Sequence, residues 1–265
     1  MSKFFQSVIW ITGASSGIGE ALALELAHHQ IKLVLSARRQ DELERVALQT
    51  GLPKSDVMVL PMDMTDVDSL PNHVEAVRQR FGRIDYVFQN AGITQRSTVV
   101  DTRYSDYQRL MNVNFFGVVA LTKAVLPFML AQKSGHFVVT SSVAGKIGTK
   151  QRSGYCASKH ALHGFFDALR AETYDDQIRV TIICPGYIRT PLSLHAISAN
   201  GQSHGKMDDN QAKGMAPDKF ARQLLKAVLQ EKEEVYIGGT ETYGIYLKRF
   251  LPGLLSRILR KRQGV

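Results

Sequence analysis

Tyr155 and Lys159 stand four residues apart in Tyr155-Cys-Ala-Ser-Lys159, a run with helical spacing that puts both on one helix face. A phenol exchanges protons poorly at neutral pH, because its unperturbed pKa is about 10. An ammonium one turn away favours the phenolate, which would let Tyr155 donate to a carbonyl or accept from an alcohol. Alone, such a pair is common helix surface. Thr140-Ser-Ser142 closes an apolar run earlier in the chain and adds a hydroxyl, Ser142, that can orient a substrate oxygen. Serines at strand ends also form turns. Asn114, in Asn112-Val-Asn-Phe-Phe-Gly117, lies inside a long helical pattern that asparagine does not favour. It would either hold a water that relays protons to Lys159 or cap an irregularity of the helix.

A second constellation points to a dinucleotide. Thr12-Gly-Ala-Ser-Ser-Gly-Ile-Gly19 follows an apolar run and opens a helical one. Gly13, Gly17 and Gly19 permit a tight turn, so the free N–H groups near Ser15, Ser16 and Ile18 can meet a pyrophosphate at the positive end of the helix. A glycine turn needed for geometry alone is the bland alternative. No Lys-Ser/Thr pair follows, which argues against a nucleoside-triphosphatase loop. The second apolar run ends Ser36-Ala-Arg-Arg39. Sites for NAD place a carboxylate there to hold the ribose 2′-hydroxyl, whereas arginine suits a 2′-phosphate. Ala37 replaces the acid, so NADP(H) is expected, with Arg38 the main contact and Arg39 an auxiliary.

These residues need a scaffold, and the alternation of the sequence supplies one. Apolar, β-rich runs occur at Val8–Thr12, Lys32–Ala37, Val57–Pro61, Ile84–Gln89, Gly135–Ser141, Ile178–Cys184 and Glu234–Ile237. Helical spacing fills Gly17–His29, Asp41–Gln49, Asp66–Phe81, Ser105–Ala131, Tyr155–Tyr174 and Pro217–Gln230. Near-continuous apolar strands between helices predict a Rossmann-like, doubly wound, seven-stranded parallel sheet with helices on both faces, an α/β fold. Residues 1–240 would form one catalytic domain, with 187–216 a substrate lid inside it and 241–265 a basic amphipathic extension.

In their order and spacing, Thr12–Gly19, Asn90-Ala-Gly92, Asn114, Ser142, Tyr155, Lys159 and Pro185-Gly186 resemble the short-chain dehydrogenase/reductase family. The resemblance runs from about Val8 to Ile237 and implies an oxidoreductase moving a hydride between nicotinamide and a carbonyl or alcohol. It implies a catalytic set of Asn114, Ser142, Tyr155 and Lys159, with Ser142 and Tyr155 on the substrate oxygen. It further implies that Asn90, Ala91 and Gly92 shape the cofactor cleft, and that Asp63, beside Met64, meets the adenine. Lys159 and Tyr155 would hold the nicotinamide ribose. Pro185, Gly186, Ile188 and Thr190 would line the nicotinamide side. A 3-oxoacyl thioester reductase shares these motifs, and a non-catalytic dinucleotide sensor would share the fold. The resemblance also implies a homodimer or homotetramer.

The chain carries 33 basic and 24 acidic residues, a balance that would suggest nucleic acid until it is located. Lys248, Arg249, Arg257, Arg260, Lys261 and Arg262 lie in the extension, which has no acid after Lys248; the remainder has 27 basic residues against 24 acidic. Basicity is therefore a property of the tail, and no nucleic-acid partner is expected. Phe250, Leu251, Leu254, Leu255, Ile258 and Leu259 form an apolar helical stripe, with Arg249, Arg257 and Arg260 largely opposite, and Pro252 suits a first-turn position. It would pack on its own or a neighbouring subunit, lie on an anionic membrane surface, or fray in solvent. A weaker resemblance, to a membrane-associated branch of the family, suggests steroid, retinoid or lipid-ketone substrates. No stretch reaches about 20 uninterrupted apolar residues, and Met1–Ser7 is too short and polar for a signal peptide. A cytoplasmic location is expected, with peripheral membrane contact through 248–265 as the variant. Cys156 and Cys184 suggest no disulfide framework, and His28, His29, His160 and His163 gain no further ligand from any motif, so no metal is expected.

Overall fold

The computed structural model describes residues 4–261. Seven strands form one parallel sheet: β1 (Val8–Thr12), β2 (Lys32–Ser36), β3 (Val57–Val59), β4 (Tyr86–Gln89), β6 (Gly135–Thr140), β7 (Ile178–Pro185) and β9 (Glu234–Ile237), in the order β3-β2-β1-β4-β6-β7-β9. A separate pair joins β5 (Gln95–Arg96) to β8 (Ile197–Ser198). The order reverses between β1 and β4, so the C-terminal strand ends open a crevice there.

The helices are α1 (Gly17–Leu26), α2 (Gln40–Thr50), α3 (Leu70–Phe81), α4 (Tyr104–Met111), α5 (Gly117–Gln132), α6 (Ser153–Glu172), α7 (Asp209–Ala212), α8 (Pro217–Leu229), α9 (Tyr243–Phe250) and α10 (Pro252–Lys261). All five residues of β1 are buried, because helices cover both faces of the sheet. One core layer sets Trp10, Phe137 and Val180 against α3, α5 and α6. The other sets Ile9, Leu33 and Ile183 against α1, α2 and α8.

Departures from the sequence reading have local causes. Helix α1 stops at Leu26 rather than His29, whose ring packs 5.6 Å from Phe4. Helix α3 starts at Leu70 rather than Asp66, because Pro71 belongs in a first turn. The expected Ser105–Ala131 helix is continuous from Tyr104 to Gln132, but residues Asn112–Phe116 form a π-helical turn. That helix also contains an 18-residue window of mean hydropathy 1.8, so it is long and apolar enough by composition to cross a membrane, although Lys123 keeps its apolar run from being uninterrupted. Its inner face, Val118, Leu121, Val125 and Met129, lies in the core.

The tail is two helices: α9 ends at Phe250, and α10 opens with Pro252 in its first turn, as expected, and carries Leu254, Leu255, Ile258 and Leu259. Leu255 and Leu259 turn inward onto Val143, Ile147 and Ile245, and Lys150 Nζ donates to the Arg260 carbonyl at 2.9 Å. The other row, Phe250, Leu251, Leu254 and Ile258, stays exposed, Phe250 at 74%. Arg262 lies outside the described residues, as does the start of the Met1–Ser7 stretch.

Candidate active site

The glycine-rich turn occupies the switch point. Gly13 and Gly17 have φ values of +68° and +60°, where a side chain would be strained. A Cβ on Gly19 would overlap the Gly13 carbonyl, so close passage of helix and strand requires glycine. Ser16 is extended at the N-cap of α1 and its side chain makes no capping bond, leaving N–H donors of the first turn for an anion. Thr12 Oγ1 accepts from Asn90 N and Ala91 N at 3.0 and 3.1 Å. Asn90 Nδ2 in turn donates to the Thr12 and Gly13 carbonyls. Asn90 therefore braces the turn, which is how it shapes the cleft.

From this turn a cleft of about 390 Å³ runs along the strand ends. Its walls include Arg38, Arg39, Asp63 and Met64 at one end and Ser142, Tyr155 and Lys159 at the other; Ala91, Gly92, Gly186, Ile188 and Thr190 lie between. Arg39 reaches Ser15 Oγ at 3.4 Å, closer to the turn than an auxiliary contact would require. Asp63 Oδ1 accepts from Thr65 N and Thr65 Oγ1, both at 2.8 Å. Burial would raise its carboxyl, but those bonds and the charges of Arg38 and Arg109 hold it below the usual range. Arg109 also lines the cleft, a residue the sequence reading missed because its approach depends on how α4 crosses the strand ends.

At the chemical end, the helix carrying Tyr155 lies over the turn after β6. Ser142 Oγ accepts from Ala144 N at 3.1 Å, which fixes the hydroxyl, and the Ser142 side chain bears on the Tyr155 phenol and favours its ionised form. Lys159 Nζ donates to the Thr140 carbonyl at 2.7 Å and lies 6.0 Å from the Tyr155 ring centroid. Burial lowers its pKa to about 8. Burial raises that of Tyr155. The influences opposing burial at the phenol include the Ser142 hydroxyl and the charges of Arg152 and Arg96, while Lys159, close to the ring, is itself a buried amine held to a carbonyl.

Asn114 is fully buried in the π-helical turn and does not line the cleft. Its Oδ1 accepts from Ile93 N at 2.8 Å, and its Nδ2 donates to Ile93 O and Ser158 Oγ. The helix irregularity is real, and the carboxamide clamps the loop after β4 to α6. A Cβ on Gly92 would sit 3.2 Å from Asn114 Oδ1 and 3.5 Å from Lys159 Nζ, so glycine keeps that space open. This opening and the uncapped start of α1 both fit an extended dinucleotide.

Other supports were not legible. Gln95 Oε1 accepts from Gly154 N and Tyr155 N at 2.8 and 3.4 Å, capping α6 from a remote strand. Glu241 Oε1 accepts from Tyr187 N and Gly239 N, bracing the chain after Gly186. Gln211 Nε2 donates to Thr190 Oγ1 at 2.9 Å, and Pro191, Leu192 and His195 complete the wall from the 187–216 segment. His163, Cys184 and Glu234 converge, which no spacing revealed. Lys146 Nζ donates to Glu234 at 2.8 Å and Ser141 Oγ lies 2.9 Å from His163 Nε2, so this group reads as a polar core network. Cys156 and Cys184 are free thiols, both buried.

The short chain dehydrogenase family profile matches residues 7–200. A dehydrogenase/reductase SDR family protein 7-like of Anopheles gambiae is 44% identical over 261 residues, covering 96% of this chain and 82% of that protein. Human dehydrogenase/reductase SDR family member 7 is 41% identical over 252 residues, covering 92% and 74%. Among solved structures, levodione reductase superposes with a TM-score of 0.80 at 27% identity, covering 91% of this chain and 99% of that one. A nicotinamide dinucleotide is the typical cofactor of such proteins, and the cleft residues fit it. By motif, fold and similarity, this chain is an oxidoreductase that belongs to the short-chain dehydrogenase/reductase family.

Proposed function

We propose that the chain reduces a carbonyl group on a lipophilic molecule with NADPH, Tyr155 acting as the general acid. The observation that carries the cofactor choice is the Arg38–Arg39 pair on the cleft wall, where Ala37 leaves no carboxylate to oppose a 2′-phosphate. When bound, the nicotinamide supplies or accepts the hydride.

The chain's residues do the rest. Ser142, its hydroxyl fixed by Ala144 N, orients the substrate oxygen beside the phenol. Tyr155 gives its proton to that oxygen as negative charge develops there. Lys159, with a pKa near 8, is the next proton carrier, and Asn114 keeps its side of the cleft in shape through Ile93 and Ser158. Ile93, Val113 and Leu192 give the mouth apolar surface, which supports a lipophilic substrate.

A panel of steroid, retinal, acyl-ketone and small-aldehyde compounds, followed by NADPH oxidation, tests this reading. Tyr155→Phe should lose nearly all turnover while NADPH binding stays largely intact. Arg38→Ala with Arg39→Ala should weaken NADPH about 10- to 100-fold and leave NADH nearly unchanged, from the loss of charge-assisted bonds. Turnover retained in Tyr155→Phe, or an unchanged cofactor preference in the double variant, would sink the respective half.

The same proposal extends to partners and place: a cytoplasmic homo-oligomer in peripheral contact with anionic membrane. The half-buried and exposed apolar residues of the central helix, Phe115, Phe116 and Phe128, support pairing with a second copy. Sedimentation as a monomer would remove that part. The exposed row Leu251, Leu254 and Ile258 beside Arg257 and Lys261 supports the membrane contact. Flotation with anionic vesicles, lost on deleting residues 248–265, is the expected result; no flotation would overturn it.

A further inference from the structure

Three segments distant in sequence bring charge together beside Tyr155. Arg96 comes from β5, Arg152 directly precedes α6, and Asp208 directly precedes α7. Arg96 Nη2 and Arg152 Nη2 both contact Asp208 Oδ2, the second at 3.3 Å. The side chains are nearly withdrawn from solvent, at 4% exposure for Arg96, 5% for Asp208 and 15% for Arg152. Arg96 Nη1 donates to the Gln95 carbonyl at 2.7 Å, while its Nε has no partner. His204 Nε2 lies 3.8 Å from Asp208 Oδ1. Burial, then the charges of Arg96 and Lys206, disfavour its protonation.

The charges do not cancel. Two guanidinium groups face one carboxylate; burial and the charge of Arg152 lower the pKa of Arg96 to about 9, and both guanidinium groups keep their protons at physiological pH. One net positive charge therefore lies in a site of low effective dielectric, where its reach is long. Tyr155 stands three residues after Arg152, its backbone N–H donates at 3.4 Å to the side chain of Gln95, the residue before Arg96, and the charges of both arginines bear on its phenol. The groups bearing on the phenol are Cys156 from its own helix, Arg152 just before that helix, Arg96 from β5 and the Ser142 hydroxyl after β6, with Lys159 Nζ 6.0 Å from the ring. Tyr187, Asp208 and His204, from the segment after β7, bear on the arginines.

We infer that the Arg96–Arg152 pair is the fixed positive charge favouring the Tyr155 phenolate, and that Asp208 sets how much of that charge the phenol feels. Both arginines are positioning residues acting through Tyr155. Asp208 belongs to the 187–216 segment, whose Thr190, Leu192 and Gln211 line the cleft. Seating of that segment and the proton affinity of Tyr155 are thereby coupled: with Asp208 engaged the phenol holds its proton for delivery, and with Asp208 withdrawn it releases it more easily. The inference rests on Tyr155 as the acid, yet its electrostatic half can be read without turnover.

The test is the Tyr155 titration in the full chain, by isotope-labelled tyrosine-ring NMR with Tyr155→Phe to assign the signal. Asp208→Asn, which preserves shape, should lower the midpoint by about one pH unit, and Arg152→Gln should raise it by about as much. Arg152→Lys should restore most of the wild-type value. Midpoints that stay put, or move in the same direction in Asp208→Asn and Arg152→Gln, overturn the inference. A shift in Arg152→Gln with none in Asp208→Asn overturns the coupling to the segment. The alkaline limb of the reduction rate should move with the NMR midpoint; a merely structural role would lower the rate with the limb unmoved. NMR shifts without limb movement would instead remove Tyr155 as the acid while leaving the charge argument standing.

Discussion

Replacing Gln95 with leucine tests whether α6 is set from outside itself. The helix begins at Ser153 with Arg152 at its N-cap, whose side chain makes no capping bond. The N–H groups of Gly154 and Tyr155 are orphan donors of the first turn, and Gln95 Oε1 accepts both, at 2.8 and 3.4 Å. Gln95 Nε2 donates to Thr102 Oγ1 at 2.7 Å, and the residue is fully buried. Leucine is close in size but offers no polar atom, so buried donors lose their acceptor at about 1–3 kcal/mol per group. Counting one good bond to Gly154, a long one to Tyr155 and the lost Thr102 bond gives about 2–4 kcal/mol. Urea unfolding should show the loss as a lower midpoint with an unchanged slope. Turnover should fall further than stability alone explains, since a displacement of about 1 Å at a reacting group can lower the rate about 10²-fold. Gln95→Glu keeps the acceptor at the positive helix end and should recover most of the stability. If Gln95→Leu unfolds within about 0.5 kcal/mol of wild type and turns over normally, the capping argument is wrong.

Two further outcomes follow from buried titrating groups. Burial lowers the folded pKa of Lys159 from 10.5 to about 8. Below about 8 both states carry the ammonium and the fold bears the whole penalty; between 8 and 10.5 only the unfolded chain keeps the proton, so stability rises with pH by up to about 3 kcal/mol. Lys159→Met should abolish that rise, and parallel urea-stability curves against pH for the two proteins would refute it. Burial would raise Glu234, but bonds from His163, Lys146 and Tyr236 outweigh it and hold the carboxyl at about 2 rather than 4.5. Its contribution, on the order of 2 kcal/mol, is present above 4.5 and lost as pH falls through about 2. Glu234→Gln should therefore lose stability at about pH 5 and approach wild type near about pH 2; an equal deficit at both would contradict the assignment.

What could be read in advance was set by local rules. The main strands announce themselves because the central ones are covered on both faces and so are largely apolar, as in Val8–Thr12, all five residues of which are buried. Gly13, Gly17 and Gly19 are legible because a positive φ or a close carbonyl admits nothing larger. The two-residue strands β5 and β8 carry no periodicity, so their pairing was invisible. Gln95, Arg96 and Asp208 were missed for that reason: a glutamine, an arginine and an aspartate in polar loops look like solvated surface until topology encloses them. The tail's stripe was visible but its division was not, since only packing of Leu255 and Leu259 on the turn after β6 separates an inner from an outer row.

The site divides by how each part meets its ligand. The dinucleotide end relies on backbone donors and glycine space, which a short motif encodes completely because the constraint lies within a few residues. The acid–base end relies on field and desolvation. Tyr155 is buried deeply enough that its proton is hard to remove, and Lys159 deeply enough that its own charge is disfavoured. A tyrosine and lysine one helical turn apart therefore do not form a self-sufficient proton donor. They are helped by the Ser142 hydroxyl and, on the inference drawn above, by charge delivered from β5 and the start of α6, trimmed by a carboxylate from the segment that also lines the cleft. Substrate enclosure and proton delivery would then share one electrostatic element, a coupling that a local motif has no means to specify.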